Sequence, residues 1–188
     1  MMKAREVVWV STKPPGVEHC TVLKGGSGWI LEGTLVRRFK EGTSLVTYHI
    51  ETDSVWRTKK VGIQQVLQGK RRGLELMVRG SKWYRGGKEV TSVRGCIDVD
   101  LEASPVTNSL PIRRGRMKIG QKVDLTAAWI RFPSLKLVPF RQGYEKLGPR
   151  EYRYRSASGF TADLDVDDFG LVSRYGGFWT AVSIAKPS

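Results

Sequence analysis

The sequence lacks the residue patterns on which most catalytic and cofactor sites depend. It has two histidines and two cysteines, and neither Cys20 nor Cys96 belongs to a CxxC pair, so the spacing of a zinc or redox site is absent. It also has no G-x-S-x-G elbow and no phosphate-binding glycine loop. We therefore expect no metal ion and no cofactor, and a non-enzymatic role is favoured.

Long apolar runs are also missing. The run at residues 7–10 near the start is only four residues long, whereas a membrane-spanning helix needs about 20 and a secretion signal needs at least about 7. The expected compartment is therefore the cytoplasm, where thiols stay reduced. The sequence leaves open whether Cys20 and Cys96 pair.

Helical periodicity is also absent from the sequence. No window of eleven residues shows an apolar stripe at helical spacing. Short segments instead alternate with period two and are bounded by glycine-containing turns, as at 24–28 and 85–88. Nearly all of the chain is therefore predicted to be antiparallel sheet, with segments such as 44–51, 62–67, 74–78, 97–101, 118–132, 135–138, 152–155, 160–166 and 178–184. Many strands without covering helices must roll or close. The 188 residues therefore predict a single all-β domain over 1–188.

Positive charge is present in large excess. The chain has 32 basic and 18 acidic residues, giving a net charge of +14. The densest basic runs are 37–40, 57–60 and 70–72, and such a surface attracts polyanions and anionic lipid headgroups. No helix-turn-helix, zinc-finger or RNP pattern accompanies the charge. We expect contact with an anionic membrane and no specific nucleic-acid partner, while a basic polyanion-binding module stays open as an alternative.

The least generic segment is residues 95–114, GCIDVDLEASPVTNSLPIRR. Period-two alternation predicts a strand with Asp98, Asp100 and Glu102 on one face and three apolar residues on the other. Two acids on one strand face are about 7 Å apart, which also permits a two-carboxylate glycoside hydrolase. That enzyme is an alternative hypothesis, because acids near strand ends more often form ion pairs.

The second half of the same segment is rich in turn-forming and cationic residues. Residues 105–111 combine two prolines with Thr107, Asn108 and a serine, a composition typical of turns. The chain is then predicted to re-enter a strand on which Arg113 and Arg114 point to opposite faces. Amide and guanidinium groups beside carboxylates suit recognition of a polyol or a phosphate. A structural corner held by an ion pair is the equally open interpretation.

Aromatic residues supply candidate walls for a ligand cleft. Tyr152 and Tyr154 alternate with two arginines, which predicts an aromatic strand face with hydroxyl tips and a cationic reverse face. Gln142 and Tyr144 add an amide and a phenol in the same region. Five tryptophans could line a cleft or fill the core: Trp29, Trp56, Trp83, Trp129 and Trp179. For any one of them the core is the more common location.

Residues 95–114 resemble the signature of a bacterial family labelled putative glycolipid-binding proteins, approximately GC-DVDL followed by TP-TNTLPIRR. The resemblance continues through AAWIRFPSLKLVP, RQGYEKL, REYRYRS, GFTADLDVD, GLVSRY and GFW, and covers residues 80–182 well. Residues 103–106, ASPV, depart from it, since the family has threonine before the proline. The resemblance implies a spiral β-roll and a glycolipid or related amphiphile as ligand.

The predicted function is burial of an amphiphile's tail in an aromatic-lined cleft of the β-roll, with a polar cluster meeting its headgroup. The candidate ligand-binding residues are Asp98, Asp100, Asn108, Arg113, Arg114, Gln142, Tyr144, Tyr152 and Tyr154. No catalytic residue and no metal ligand is predicted, and the sequence gives no oligomeric state.

Overall fold

The structure is a computed structural model that describes residues 2–186. Its strands are β1 (Met2–Thr12), β2 (Pro15–Lys24), β3 (Gly28–Phe39), β4 (Gly42–Asp53), β5 (Thr58–Leu67), β6 (Lys70–Arg79), β7 (Lys82–Arg85), β8 (Lys88–Glu89), β9 (Val99–Leu101), β10 (Lys122–Arg131), β11 (Lys136–Lys146), β12 (Glu151–Ser156), β13 (Thr161–Val166), β14 (Val172–Tyr175) and β15 (Trp179–Ala185). The helical elements are the 3₁₀ turns Thr91–Val93 and Val106–Asn108 and the helix α1 (Ser109–Gly115).

All fifteen strands belong to one sheet that is not closed into a barrel. From one edge to the other the order is β8, β7, β6, β5, β4, β3, β2, β1, β15, β14, β13, β12, β11, β10, β9. Neighbouring strands are antiparallel except β9 and β10, which are parallel. The prediction of an all-β fold of antiparallel strands is confirmed.

The chain connectivity forces this sheet to curl. Its two edge strands, β8 and β9, are consecutive in the chain and are joined by residues 90–98. In a flat sheet of fifteen strands they would lie about 67 Å apart, because neighbouring strands are roughly 4.8 Å apart. The connecting segment spans at most about 35 Å. The edges therefore approach each other, and the Trp83 indole on β7 donates a hydrogen bond to the Cys96 carbonyl, 2.9 Å away.

The inner face of the curled sheet forms the core. On β4, for example, Val46, Tyr48 and Ile50 are buried, whereas the residues between them are more exposed, as period-two alternation requires. The larger core cluster joins strands from both ends of the sheet and contains the fully buried Trp9 and Trp83. A smaller cluster surrounds the inward-facing tyrosines of β11 and β12.

Residues 109–115 are helical, so the predicted strand carrying Arg113 and Arg114 is wrong. Pro111 is the third residue of α1, and the first turn of a helix tolerates proline because its N–H groups have no intrahelical partner. The helix has only seven residues, too few for its period to register in an eleven-residue window. Its two arginines are consecutive on a helical turn and line the same pocket.

Several strand boundaries also differ from the prediction. The predicted strand 97–101 is reduced to β9, β10 begins at Lys122, and β11 continues to Lys146. Six strands lie outside the segments named from the sequence: β1, β2, β3, β7, β8 and β14. In the first three, charged and glycine residues interrupt the alternation. The hairpin turns at 24–28 and 85–88 are confirmed, and Gly86 and Gly87 adopt φ values of +54° and +78°, which glycine accepts without strain.

Candidate functional site

An aromatic cleft of about 560 Å³ opens at one end of the inner face of the sheet. Its volume lies within the range of small-molecule binding sites. Seven aromatic residues line it: Trp129, Phe140, Tyr154, Phe160, Tyr175, Phe178 and Trp179. We call this space the aromatic cleft.

The aromatic walls come from strands on both sides of the opening. Trp129 of β10 and Phe140 of β11 stack with ring centroids 4.2 Å apart. On the other side, Tyr175 lies 5.9 Å from Tyr154 and 6.2 Å from Phe160 in edge-to-face contacts. These packed rings form a preformed apolar surface, which suits an acyl chain or the face of a sugar ring.

Asp100 of β9 is the main carboxylate of the cleft floor. It accepts hydrogen bonds from the Thr107 hydroxyl, at 3.0 Å, and from the Gln142 side-chain amide. Burial raises the pKa of Asp100 to about 6, although both hydrogen bonds lower it. The floor therefore carries a carboxyl group that changes charge near neutral pH.

Asn108 supplies a neutral polar group on the same floor. Its Oδ1 accepts a hydrogen bond from the Tyr144 hydroxyl at 2.8 Å, and its amide nitrogen donates to the Pro105 carbonyl at 3.3 Å. Tyr144 is almost fully buried, so it fixes Asn108 from behind rather than facing the opening. The arrangement gives the cleft a rigid amide beside Asp100.

A buried glutamate, Glu18 of β2, lies behind the floor. Its Oε1 accepts hydrogen bonds from Tyr48 Oη and from Ser104 Oγ, both at 2.6 Å, and Ser104 lines the cleft. Burial raises the pKa of Glu18 to about 7 despite these two hydrogen bonds. Its Oε2 is buried without a partner among residues 2–186, which favours the protonated carboxyl.

Gly33 allows this network to form. Tyr48 on β4 must cross β3 to reach Glu18 on β2, and it passes over Gly33, where a Cβ would lie 2.2 Å from Tyr48 Oη. Real Cβ contacts are never that short, so any side chain at this position displaces the tyrosine. The absence of a side chain at Gly33 therefore allows Tyr48 to reach Glu18 behind the cleft floor.

Charged residues surround the opening of the cleft. Arg37, at the end of β3, donates to the Ala103 carbonyl at 2.6 Å, and its guanidinium lies 4.9 Å from the centroid of the Trp179 ring. Glu102 faces Arg131 at 3.8 Å. The sequence shows Arg37 only as part of the basic run 37–40. No local pattern indicates that this end of β3 reaches a cleft lined by residues of β9, β10 and β15.

Arg113 and Arg114 lie at a different place. They line a second space, which we call the basic pocket, together with Arg116, Lys146, Trp29, Trp56, Tyr152 and Phe169. The two pockets have no lining residue in common. The smaller core cluster, which includes Tyr144, Tyr152 and Tyr154, lies between them.

The structure thus divides the predicted site residues into two groups. Asp100, Asn108 and Tyr154 line the aromatic cleft, while Gln142 and Tyr144 support the first two of these from behind. The remaining four belong to the basic pocket or its support: Asp98, Arg113, Arg114 and Tyr152.

Asp98 has an ion-pair role. Both oxygens of this buried carboxylate accept hydrogen bonds from the Arg114 guanidinium, and its Oδ2 lies 2.6 Å from Arg114 Nη2. Burial raises the pKa of Asp98, and Arg114 opposes that shift. For Asp98 the ion pair agrees with the interpretation of the motif as a structural corner. Asp100, in contrast, lines the cleft.

Several cleft residues had no signal in the sequence. Phe140 lies within β11, and Phe160, Tyr175 and Phe178 lie at strand ends or turns; single aromatics of this kind are not distinguishable from core residues by pattern alone. Trp83 and Trp179 both belong to the larger core cluster, and Trp179 also lines the cleft together with Trp129. The alternation predicted for Tyr152 and Tyr154 is correct, since both are buried on one face of β12.

Three further observations concern residues 2–186. No group of three His, Cys, Asp or Glu side chains is arranged to hold a metal ion. Cys20 and Cys96 are both buried free thiols. No helix in this range has the length and apolar composition needed to cross a bilayer.

Comparison with known proteins gives two matches. The sequence profile of a family described as "Putative glycolipid-binding" matches residues 6–181. The crystal structure of a DUF1089 family protein from Pseudomonas aeruginosa is similar, with a TM-score of 0.80 and 29% sequence identity over 88% of this chain and 91% of that chain. No curated protein matches the sequence.

Proposed function

The chain belongs to the "Putative glycolipid-binding" family, and we propose that it binds the apolar part of a glycolipid or related amphiphile in the aromatic cleft without reacting with it. The observation that carries this proposal is the combination of seven aromatic lining residues with a polar floor in one space of about 560 Å³. Apolar walls with a few fixed polar groups are typical of small-molecule sites.

Burial of the tail supplies most of the affinity in this proposal. Each methylene removed from water contributes about 0.8 kcal/mol, and the stacked pair Trp129 and Phe140 offers a ready apolar surface. Asp100 and Asn108 are already hydrogen-bonded within the protein, so they are preorganised to accept and donate to sugar hydroxyls. Preorganisation lowers the entropic cost of binding.

The test is titration of the protein with an alkyl glucoside below its critical micelle concentration. Calorimetry and native mass spectrometry measure the binding. Phe178→Ala removes a cleft wall that is 38% exposed, and we expect an affinity about tenfold lower, equivalent to 1.4 kcal/mol. The matched control is Tyr84→Ala, an aromatic residue of β7 away from the cleft. Equal losses in both variants, or no binding by the unmodified chain, would contradict the proposal.

A glycoside hydrolase is the competing candidate, because Asp100 has the raised pKa that a general acid needs. Its predicted partner Asp98 is held by Arg114, which argues against the pair acting together. Assay of the same alkyl glucoside for released glucose separates the two functions. Turnover that disappears in Asp100→Asn would favour the hydrolase, whereas stoichiometric binding without glucose release supports the binding protein.

Loading of an amphiphile from a membrane is a further part of the proposal. An apolar row crosses the outer face of the sheet, where Val10, Val17, Val36, Leu45 and Val66 are direct cross-strand neighbours. The first four are 37–44% exposed. Arg71 continues the row on β6, and Val36 directly precedes the cleft residue Arg37.

The basic residues near this apolar row favour an anionic bilayer as the surface that it contacts. The runs 37–40 and 70–72 contain six cations, and each adds about 1 kcal/mol of attraction near an anionic surface. We expect the protein to sediment with phosphatidylglycerol vesicles and not with phosphatidylcholine vesicles. Leu45→Glu should weaken sedimentation more than the matched control Thr47→Glu on the same strand face. Equal effects would contradict a specific role for the apolar row.

A further inference from the structure

The basic pocket is a separate space of about 550 Å³ beside the C-terminal end of α1. Four cations line it: Arg113, Arg114, Arg116 and Lys146. Two acids, Asp167 and Asp168, also lie on its wall. The binding role proposed for the aromatic cleft does not use any of these residues.

Both acids of the wall are already engaged by other groups. Asp167 accepts two backbone N–H groups of its own turn through Oδ1, at 2.8 and 3.0 Å, and Arg5 Nε through Oδ2 at 3.1 Å. Asp168 accepts from Arg5 at 2.8 Å and from Lys186 at 2.7 Å. Both carboxylates are therefore hydrogen-bonded to groups other than the lining cations, although the charge of Asp167 still acts on Arg113.

Three of the four cations consequently have no acidic partner. Arg114 is paired with Asp98, but Arg113, Arg116 and Lys146 form no ion pair with any acid among residues 2–186. Like charges brought together in a partly buried space repel each other. These three cations line one space together with Arg114.

Arg113 is held in place by aromatic rings. Its guanidinium carbon lies 4.0 Å from the centroid of the Phe169 ring and 4.8 Å from that of Trp56, and one N–H group donates to the Phe169 carbonyl. Its Nε is buried and has no partner within residues 2–186. A guanidinium fixed in this way presents its remaining donors without a large loss of side-chain entropy.

The neighbouring cations come from two different elements. Arg116 follows α1 in the left-handed conformation, with φ of +41°, which turns the chain so that three arginines within four residues line one pocket. Lys146, at the end of β11, places its ammonium 5.6 Å from the centroid of the Tyr152 ring. Burial lowers the pKa of Arg113, the charge of Asp167 raises it, and the charges of Arg5 and Arg116 lower it.

We propose that the basic pocket binds the phosphate group of a phosphorylated ligand. Guanidinium groups match phosphate oxygens in bidentate geometry, and a phosphate monoester, with a charge of about −2, offsets most of the charge of the three unpaired cations. The ligand is either a phosphatidic-acid headgroup or a soluble sugar phosphate, because both present a phosphate monoester.

The test is calorimetric titration of the full chain with sn-glycerol 3-phosphate. The double variant Arg116→Gln/Lys146→Gln removes two cations that have no ion pair in the described residues. The matched control, Arg150→Gln/Lys136→Gln, removes two exposed cations outside the pocket. We expect an affinity about tenfold lower for the pocket variant and a change within about twofold for the control. Equal losses, or no binding by the unmodified chain, would overturn the proposal.

Two further measurements identify the source of the phosphate and separate this site from the cleft. Binding of monomeric dihexanoyl phosphatidic acid about tenfold tighter than glycerol phosphate would support a phospholipid, and equal affinities would support a soluble ligand. The cleft variant Phe178→Ala should leave the affinity for glycerol phosphate unchanged. Loss of phosphate binding in that variant would contradict a separate site.

Discussion

The aromatic cleft and the basic pocket are built from the same stretch of chain and have opposite chemistry. Asp100, Ser104 and Asn108 contribute to the cleft, whereas Arg113 and Arg114 contribute to the pocket. In the cleft Asp100 and Asn108 are hydrogen-bonded within the protein and the walls are aromatic. In the pocket three of the four lining cations form no ion pair among the described residues, and Arg113 and Lys146 lie over aromatic rings. Residues adjacent in a motif thus serve two sites, because α1 turns the chain between them.

The ion pair between Asp98 and Arg114 connects the two regions, and breaking it should have the largest effect. Asp98→Ala leaves a guanidinium that is only 19% exposed without its carboxylate, so the free energy of unfolding should fall by about 3 kcal/mol. Chemical denaturation measures this. The double variant Asp98→Ala/Arg114→Met should recover part of the loss, since no uncompensated charge remains. A loss below about 1 kcal/mol in the single variant would show that the pair is not structural.

Two carboxyl groups, Glu18 behind the cleft floor and Asp100 on it, should make the free energy of unfolding depend on pH. The pKa of Glu18 rises on folding from 4.5 to about 7, so the folded state binds the proton more tightly and the free energy of unfolding falls as pH rises through this range. The shift corresponds to about 3 kcal/mol. Asp100 adds a loss of the same sign between 3.8 and about 6.

Denaturation curves at pH 4.5 and 7.5 check this, with Glu18→Gln compared with Glu75→Gln, a change at an exposed position of β6. We expect Glu18→Gln to flatten the pH profile above pH 5 and Glu75→Gln to leave it unchanged. A profile that stays steep in Glu18→Gln would mean that another group controls it.

Ligand chain length should distinguish the two sites more finely. Adding two methylenes to an alkyl glucoside should strengthen its binding by about 1.6 kcal/mol if the cleft buries them. The same extension on an alkyl phosphate held only in the basic pocket should change its affinity little. Calorimetry of both series gives the two slopes, and equal slopes would mean that the ligands share one site.

The salt dependence of the binding affinity should differ least between the two sites. Raising the salt concentration from about 50 to 200 mM shortens the screening length, so glycerol phosphate should bind a few-fold more weakly. An uncharged alkyl glucoside should be unaffected. Fluorescence titration of the cleft tryptophans Trp129 and Trp179, beside calorimetry for the phosphate, checks this. A strong salt effect on the glucoside would contradict burial of its tail as the main source of affinity.

Much of the fold was predictable because local alternation reports which face of a strand is buried. Tyr152 and Tyr154 were correctly assigned to one face of β12, and the Gly86–Gly87 turn follows from residues that accept positive φ. The helix was missed because proline is found in turns as well as in the first turn of a helix. That single error placed Arg113 and Arg114 on opposite faces of a strand instead of in one pocket.

The site was only partly predictable. Asp100, Asn108 and Tyr154 were identified from a motif and from alternation, and they do line the cleft. Their distant partners were not, since Glu18 reaches Ser104 across 86 positions of sequence. Such contacts depend on how far the sheet curls, which no local pattern records.

The sequence by itself determined that this protein is an all-β chain with a surplus of positive charge and one distinctive polar segment, because composition and period-two alternation act locally. The tertiary structure decided where that segment's residues act. Pairing of β1 with β15 joins the two halves of the chain in one sheet, and the curling of this sheet brings Arg37, Trp129 and Trp179 into one cleft.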